Sequence, residues 1–372
     1  MERTATLLSL KHLDIKPLLA CNANCKPCSY RRELYRKVNK TNIISIEQWD
    51  SILLEAEGLG AKELTISGGE PTLYKNLTEL IKIGKRRKMH VCLNTNGSLI
   101  TEQFAKDLLA AGLNEVRISI YSPKPEMHDE IRSFNGLWEK ATNAIRIFRK
   151  LTKKNPSFNI IAQTIIFNRN YKDLPGLLRL FYELGATTIN LSYIEGDFTK
   201  QYLLNETEIK DFKQNIIPAL LSFCAQLNKQ IISQAKKAVE HIYSEDIASI
   251  SEFAQGIYRP KDRGHLCCHI PKQQALILAN GDIHPCNMVE YAHGPVVGNL
   301  FKNTLSEIWH GKSWNSFRQK SFDFCPLCPV AFHPYFAIRD RTLMRIKIAR
   351  HPLFLGGKKI VKAILRPEKP EI

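Results

Sequence analysis

The strongest constraint on the fold of this 372-residue chain is a regular alternation of β-rich runs with helical patterns up to about residue 193. Six β-rich segments alternate with five segments in which apolar residues recur at helical spacing. Ser45 and Gln48 predict a capping box at the start of the first helix, and Gly60 predicts its end. The predicted strands are His12–Leu18, Glu63–Ser67, Val91–Thr95, Val116–Tyr121, Ile160–Phe167 and Thr188–Tyr193. The predicted helices are Ile46–Leu59, Leu77–Lys88, Thr101–Ala111, Leu137–Leu151 and Leu174–Leu184.

This alternation predicts a parallel sheet whose strands are connected by helices. Six repeats predict an α/β fold, a partial (β/α)6 TIM-like barrel, over residues 1–200. Residues 201–255 are predicted to form a helical connector with a break at Pro218, and residues 256–340 a small cysteine-rich α+β domain. Asn280-Gly281 predicts a hairpin in that domain, between Leu276–Leu278 and Ile283–Pro285. Residues 341–372 are predicted to form a basic tail.

The ten cysteines are best explained by metal binding or catalysis. The chain shows neither a secretory signal nor an apolar run near the about 20 residues of a membrane span, so we expect a cytoplasmic location. Disulfides are rare in that compartment. Three cysteines form an early group and five a late group, whereas Cys92 and Cys224 stand alone and are expected to be inert packing residues.

The early group follows directly after the first predicted strand as Cys21-x-x-x-Cys25-x-x-Cys28. Three thiolates can hold three irons of a 4Fe–4S cube, which leaves the fourth iron open to a substrate. A zinc site is the alternative. It needs a fourth ligand, and the motif supplies none, since His12 lies upstream on the strand.

Two further polar motifs stand at the ends of the second and third predicted strands. The first is Gly68-Gly69-Glu70-Pro71, whose glycines allow close backbone approach to a ligand and whose carboxylate can accept hydrogen bonds from an ammonium group. The second is Asn94-Thr95-Asn96-Gly97. Because the carboxyl ends of barrel strands form the active face, we expect these motifs and the cysteines at one site.

In this combination the sequence resembles the radical S-adenosylmethionine (SAM) superfamily over about residues 10–200. The resemblance implies that Cys21, Cys25 and Cys28 ligate a 4Fe–4S cluster whose open iron is chelated by the amino and carboxylate groups of SAM. It also implies reductive cleavage of SAM to a 5′-deoxyadenosyl radical that abstracts a hydrogen atom from the substrate. The other SAM-binding positions that it implies are Gly68, Gly69, Glu70, Pro71, Asn96, Ser119, Arg132 and Gln163.

Three of these positions have an implied role and an open alternative. Ser119 stands at the position that often touches the SAM ribose or carboxylate. Arg132 resembles an arginine that pairs with the carboxylate, and Gln163 resembles a polar residue near the ribose. Each could instead be a polar group at the barrel mouth or a surface charge.

The sequence departs from the family pattern at two positions. The aromatic residue that usually precedes the third cysteine and contacts adenine is replaced by Pro27, and Tyr30 is the expected substitute. Tyr121 stands where many relatives carry Asp.

The late cysteines resemble the auxiliary-cluster domains of radical SAM enzymes, known as SPASM and twitch domains. Residues 298–309 resemble them as well. Four thiolates suffice for a 4Fe–4S cluster or for zinc. Because no cysteine follows Cys328, we expect one auxiliary 4Fe–4S cluster, with structural zinc as the alternative. The expected ligands are Cys268, Cys286, Cys325 and Cys328.

The remaining late cysteine, Cys267, is a candidate catalytic hydrogen donor. A thiol beside an auxiliary cluster can return a hydrogen atom to a substrate radical, which gives epimerisation. Electron transfer from the radical to the auxiliary cluster would instead give oxidation or a new bond.

The substrate is less constrained. A single auxiliary cluster is found in relatives that act on sugar-like small molecules, so we expect such a substrate, with oxidation or epimerisation as the outcome. The alternative is a maturase that modifies a ribosomal peptide or a protein. Only about twelve residues precede the first predicted strand, which disfavours a built-in leader-recognition domain and leaves a separate recognition protein open.

The chain is strongly basic, with 53 Lys and Arg against 36 Asp and Glu and a net charge of +17. The resemblance implies an acidic flavodoxin or ferredoxin-like electron donor, whose encounter opposite charge would speed. The basic tail mixes Lys and Arg with apolar residues at Leu343–Ile348 and Lys358–Arg366, which favours peripheral membrane contact or a helix packed on the barrel. A non-catalytic metal- and nucleic-acid-binding protein is a remote alternative. No nucleic acid is expected, since the basic residues are not interleaved with aromatic platforms.

Overall fold

A ten-stranded sheet organises the part of the chain that the computed structural model describes: residues 9–28, 43–194, 197–227, 249–256, 270–291, 294–324 and 344–347. The strands are β1 (His12–Leu18), β2 (Glu63–Gly68), β3 (His90–Thr95), β4 (Glu115–Ser119), β5 (Asn159–Ile166), β6 (Thr188–Tyr193), β7 (Gln274–Leu278), β8 (Asp282–His284), β9 (Gly298–Asn299) and β10 (Met344–Lys347). Their order across the sheet is β10-β6-β5-β4-β3-β2-β1-β7-β8-β9.

Strands β1 to β6 are parallel neighbours in chain order, and helices fill the connections. This confirms the predicted α/β fold, a partial TIM-like barrel. The helices are α1 (Ile46–Gly58), α2 (Leu77–Arg86), α3 (Glu102–Ala110), α4 (Pro125–Arg132), α5 (Leu137–Leu151), α6 (Leu174–Glu183), α7 (Glu206–Asp211), α8 (Ile217–Leu227), α9 (Ile250–Ala254), α10 (Ile270–Gln273), α11 (Asn287–Tyr291), α12 (Leu305–His310) and α13 (Lys312–Phe324).

The two faces of the sheet differ in chemistry because successive strand residues point to opposite sides. One register row is apolar and fully buried under the helices; it comprises Ile15, Ile66, Leu93, Val116 and Ile160. The neighbouring row on the other face is polar; it comprises Asp14, Thr65, Cys92, Glu115 and Asn159. The polar face is therefore the interior of the partial barrel.

Two features of the sheet differ from what the sequence pattern predicts. Helix α4 lies in the β4–β5 connection, for which a single helix, α5, was predicted. The hairpin of β7 and β8 forms as predicted, but β7 also pairs in parallel with β1, with His12 opposite Gln274. The hairpin therefore extends the barrel sheet. The proposed domain bounds stay a prediction.

The helical connector continues through the position where a break was expected. A π-helical segment, Phe212–Ile216, joins α7 directly to α8, and Pro218 lies in the first turn of α8. Proline is tolerated in a first turn, and a π-segment absorbs the local disturbance of hydrogen bonding. Among the described helices none is long and apolar enough to cross a membrane.

Candidate active site

The loop that follows β1 carries the three early cysteines at the carboxyl edge of the sheet. Cys21 is exposed, Cys25 is buried and Cys28 is half-buried. The Lys26 N–H donates to the carbonyl of Ile131 over 2.8 Å, and the Cys28 N–H donates to the carbonyl of Cys25 over 3.1 Å. The first bond holds the loop against the end of α4, and the second closes a turn within the loop.

Gly68 and Gly69 fit against the chain that leads into this loop. The Gly69 N–H donates to the Leu18 carbonyl over 3.0 Å, and Gly68 adopts φ +130°. A Cβ on Gly69 would overlap the carbonyl oxygens of Leu19 and Ala20. The glycines therefore allow two backbone segments to approach each other, in addition to any approach to a ligand.

The Glu70 carboxylate joins two loops and is almost fully buried. One oxygen accepts from the Thr72 N–H over 3.1 Å and from the hydroxyls of Thr72 and Thr95 over 2.6 Å each. The other accepts from the Asn96 N–H over 2.7 Å. This carboxylate therefore orients the loop after β3 relative to the loop after β2. Its predicted contact with the SAM ammonium stays a prediction, as does that of the buried Pro71 beside it.

Asn96 connects the loop after β3 to the cysteine loop. Its side-chain amide donates to Asn22 Oδ1 over 2.9 Å, and the Asn22 amide donates to the Ser98 hydroxyl over 2.8 Å. Residues of the three sequence motifs thus meet at one place, as the strand order predicts. Asn22 and Ser98 were not singled out from the sequence, because neither belongs to a recognisable motif.

Arg132 lies at the end of α4 beside the cysteine loop. Its guanidinium carbon is 4.7 Å from the centre of the Tyr121 ring, and the side chain is buried. Burial alone would lower the pKa of Arg132, but the neighbouring Cys25 and Tyr121 raise it above its ordinary value. The guanidinium therefore stays charged next to the thiols.

Tyr121 and His128 complete this cluster in neutral form. Burial raises the pKa of Tyr121 to about 12, and burial together with the charge of Arg132 lowers the pKa of His128 to about 3. The Tyr121 N–H donates to His128 Nδ1 over 3.0 Å, so the ring proton is on Nε2. Tyr121 stands where many relatives carry Asp. Arg132 therefore meets a neutral ring at this position in place of a carboxylate.

Ser119 and Gln163 face each other across β4 and β5. The Gln163 amide donates to the Ser119 hydroxyl over 3.1 Å. Asn190 lies next to Gln163 in the register of β6, and among the described residues its buried Oδ1 has no hydrogen-bond partner. Asn190 extends this polar ladder by one strand and was missed, because a lone asparagine in a strand carries no sequence signal. The roles of Ser119 and Gln163 toward SAM stay predictions.

The barrel interior below this edge carries charged groups that sequence analysis also missed. Arg117 donates twice to Glu115, over 2.9 and 2.7 Å, and the Asn159 amide donates to the same carboxylate over 2.9 Å. Cys92 lies on the same face as Asn94, as its strand position predicts, with its sulfur 3.8 Å from Asn94 Oδ1. The alternation of side chains along a strand predicts which residues share a face, but it does not predict the pairing of Arg117 with Glu115.

The predicted auxiliary-cluster residues are only partly described. Cys286 is buried at the end of the β7–β8 hairpin. The other expected ligands, Cys268, Cys325 and Cys328, lie outside the described residues, as do Cys267, Tyr30 and all of the basic tail except 344–347. Cys224 is buried in α8, where burial raises the pKa of its thiol to about 12, as befits a packing residue.

The cysteine loop has the chemistry that an iron–sulfur cluster needs. It brings three thiols to an open edge of the sheet, close to the buried Arg132. Burial raises the pKa of the Cys21 thiol, and the positive charge of Arg132 opposes that shift. Within the described ranges, no three Cys, His, Asp or Glu side chains are grouped as the ligands of a single metal ion are. The fold and this edge define an α/β partial-barrel enzyme with a thiol-rich site at the carboxyl ends of its strands.

Comparison with known families identifies that enzyme class. Residues 15–181 match the radical SAM superfamily, and residues 267–329 match the iron–sulfur cluster-binding domain called SPASM. The chain is a radical SAM enzyme with a C-terminal SPASM domain. It therefore uses SAM with a SAM-binding 4Fe–4S cluster, and it binds auxiliary iron–sulfur in the SPASM domain. The individual ligands remain predictions.

Curated relatives share about a quarter of their residues with this chain. The probable GTP 3′,8-cyclase of Methanocaldococcus jannaschii is 27% identical over 74% of this chain and 85% of its own length. The PqqA peptide cyclase of Streptomyces rochei is 26% identical over 83% of this chain and 79% of its own length. That of Granulibacter bethesdensis is 23% identical over 78% of this chain and 71% of its own length.

Solved structures share the fold. SuiB of Streptococcus suis bound to precursor peptide SuiA superimposes with a TM-score of 0.61 at 16% identity, covering 87% of this chain and 72% of SuiB. AnSMEcpe with bound AdoMet and the Cp18Cys peptide superimposes with a TM-score of 0.59 at 17% identity, covering 86% of this chain and 88% of anSMEcpe. These likenesses confirm the partial barrel.

Proposed function

We propose that this enzyme modifies a peptide, by SAM-dependent radical chemistry at the mouth of the partial barrel. The observation that carries the proposal is the similarity to PqqA peptide cyclases, which extends over 76–83% of this chain and 70–79% of theirs. Such coverage includes both the barrel and much of the region beyond it. The comparisons thus favour the maturase alternative over the sugar-like substrate that the sequence analysis put first.

The residues at the barrel mouth have separable tasks in this reaction. When bound and reduced, the cluster supplies the electron that cleaves SAM to the radical that removes a hydrogen atom from the substrate. Cys21, Cys25 and Cys28 would hold the cluster, and Glu70 fixes the adjoining loops. Arg132 keeps a positive charge beside the thiols, where it can bind the SAM carboxylate.

The buried Tyr121 and His128 beside Arg132 add no charge to the site near neutral pH. His128 stays uncharged above a pH of about 3 and Tyr121 stays protonated below a pH of about 12, so neither changes charge near neutrality. The outcome of the reaction depends on the SPASM domain. Bond formation, as in a cyclase, fits electron transfer to the auxiliary cluster, whereas epimerisation would need the hydrogen donor proposed at Cys267.

The electron donor that we propose is an acidic flavodoxin or ferredoxin-like protein. The net charge of +17 supports this choice, because opposite charge raises the rate of encounter.

The test of a peptide substrate uses deuterium, because the abstracted hydrogen atom ends in 5′-deoxyadenosine. The reconstituted enzyme is incubated anaerobically with SAM, dithionite and a fully deuterated cell extract from the source organism. The extract is separated into a peptide-sized and a metabolite-sized fraction, each with and without protease digestion. We expect mass spectrometry to show deuterated 5′-deoxyadenosine with the peptide fraction, and the label to disappear after digestion.

A nucleotide or sugar substrate would give the opposite pattern. Protease-resistant label from the metabolite fraction would contradict the peptide proposal. GTP is tested alone as a named competitor, because the Methanocaldococcus jannaschii relative is described as a GTP cyclase. The matched control is the enzyme in which Cys21, Cys25 and Cys28 are replaced by Ala, which should transfer no label from either fraction.

A further inference from the structure

A buried ion pair connects the barrel interior to the segment that carries Cys286. Lys16 Nζ on β1 lies 2.8 Å from Glu290 Oε2 on α11, and each side chain is only 2% exposed. The two residues are 274 positions apart in the chain. Glu290 lies four residues after Cys286, and its backbone N–H donates to the Cys286 carbonyl over 3.2 Å. The pair therefore reaches the hairpin end through one short helical turn.

A second set of buried contacts runs parallel to this pair. Asp14, two residues before Lys16 on the same strand face, accepts from the side-chain amides of Gln274 and Asn287 over 2.5 and 3.1 Å. It also lies 3.3 Å from His12 Nε2. Asn287 directly follows Cys286. We call Asp14, Lys16, Gln274, Asn287 and Glu290 the clasp.

Lys16 also connects the clasp to the edge of the barrel that carries the early cysteines. Lys16 precedes Cys21 by five residues, and a Cβ built on Gly68 would lie 3.5 Å from Lys16 Cβ. The clasp therefore links β1, which leads into Cys21, to the helix that follows Cys286, and Gln274 adds a contact from β7. These contacts fix where the two segments stand relative to each other.

Buried charges of this kind are poor stabilisers. The cost of removing two charges from water offsets most of their attraction, and an apolar pair of similar size is often as stable. In some proteins a buried charged or polar pair instead selects one arrangement of the chain, because a shifted partner would leave a charge unpaired in the core. A clasp made of charges and amides therefore suits positioning better than stability.

We infer that the clasp is a positioning device that holds Cys286, and with it the auxiliary cluster, at a fixed place relative to the SAM cluster. Lys16, Glu290, Asp14 and Asn287 are positioning residues in this inference, because they act on the auxiliary cluster through Cys286. The inference rests on the proposed role of Cys286 as a cluster ligand and is independent of the substrate class.

The test measures the clusters directly in the reconstituted full-length enzyme. Iron content and the midpoint potential of each cluster, followed by EPR, are compared for the wild type, Lys16→Met, Glu290→Gln and the double variant Lys16→Met/Glu290→Met. We expect the single variants to lose about four of about eight irons per chain, or to shift the auxiliary-cluster potential. The EPR change that SAM causes at the SAM cluster should persist.

The double variant separates positioning from stability. We expect the double variant to regain the wild-type melting temperature while its auxiliary cluster stays altered. An apolar pair can restore packing, but it lacks the directional hydrogen bond that fixes one arrangement. Recovery of both properties, or unaltered auxiliary clusters in all variants, would overturn the inference. The matched control is Lys150→Met, which breaks a 2.8 Å pair with Glu102 on the exposed helix surface and should change neither cluster.

Two further variants allow the inference to be tested if the charge variants do not fold, and separate it from the assignment of Cys286 as a ligand. If the charge variants fail to fold, Asn287→Ala decides in their place, because it removes one hydrogen bond to Asp14 and keeps the bond from Gln274 to the same carboxylate. An altered auxiliary cluster in that variant supports the inference, and an unaltered one overturns it. Cys286→Ala tests the ligand itself. An unchanged auxiliary cluster in that variant would refute the ligand assignment, whereas loss in Cys286→Ala with no change in Lys16→Met would refute only the clasp.

Discussion

At the scale of single residues, the site depends on groups whose partners the structure makes explicit. Glu70 accepts hydrogen bonds from four donors in two loops, and Arg132 lies over the Tyr121 ring with Cys25 among its neighbours. Motif recognition could place Glu70 at the site. It could not show that its carboxylate holds the loop after β3, because Thr95 and Asn96 are 25 and 26 residues away in the chain.

Glu70→Gln should damage both stability and SAM binding. The new amide would present N–H donors where Glu70 now only accepts, so at least one donor of Thr95 or Asn96 would lose its partner. We expect the free energy of unfolding to fall by about 1–3 kcal/mol, and SAM binding to weaken in equilibrium titration. Glu139→Gln, on an exposed helix surface, is the control and should change stability by less than about 0.5 kcal/mol. Equal stability of the two variants would contradict the bridging role.

Because of His128, the free energy of unfolding should fall measurably as the pH is lowered. Its pKa in the folded protein, about 3, lies below the ordinary 6.5, so the unfolded chain binds a proton that the folded chain refuses. The neutral His128 contributes fully to the free energy of unfolding above its ordinary pKa. This contribution is lost as the pH falls below that ordinary value, by up to about 1.4 kcal/mol per pH unit.

The variant His128→Asn tests this assignment, because its amide oxygen can still accept from the Tyr121 N–H while it does not titrate. Urea unfolding between pH of about 6.5 and about 5 should show a shallower loss of stability for the variant than for the wild type. Parallel curves would contradict the assignment. His284, whose pKa burial also lowers, is present in both proteins and cancels.

At the scale of elements, the sequence pattern predicts β1, β6 and α5 to the residue and the other barrel elements to within two residues. These segments combine clear periodicity with caps such as Ser45 and Gln48, both confirmed. Helix α4 was missed because it is short and follows β4 closely. The pairing of β7 with β1 was missed because periodicity carries no information on which strands become neighbours across 260 residues of chain.

Gly69→Ala tests how closely two of these elements must approach. Its added methyl group would overlap the backbone oxygens of Leu19 and Ala20, neither of which can rotate away. We expect a loss of about 1–3 kcal/mol in the free energy of unfolding, together with incomplete SAM-cluster assembly measured as iron per chain. Gly58→Ala is the matched control. Its Cβ meets nothing within 4 Å, so the variant should be unchanged or stabilised by up to about 1 kcal/mol. Similar iron contents in both variants would argue against the close approach.

At the scale of the whole molecule, one sheet carries the residues proposed for both clusters. The loop after β1 holds Cys21, Cys25 and Cys28, while β7, which pairs with β1, and β8, which pairs with β7, lead to Cys286. The superfamily could be recognised from motifs because its ligands lie close together in the sequence. The substrate could not be predicted from motifs, because the charged barrel interior around Arg117 is assembled from residues far apart in the sequence. In addition, relatives of similar fold act on different molecules.

The most direct test of the account is reductive cleavage of SAM. The anaerobically reconstituted enzyme, given dithionite and SAM, should release 5′-deoxyadenosine and methionine in equal amounts, measured by liquid chromatography. Replacing Cys21, Cys25 and Cys28 by Ala should abolish the release and remove about four irons per chain. Undiminished 5′-deoxyadenosine from the triple variant would contradict the assignment of the cluster to this loop.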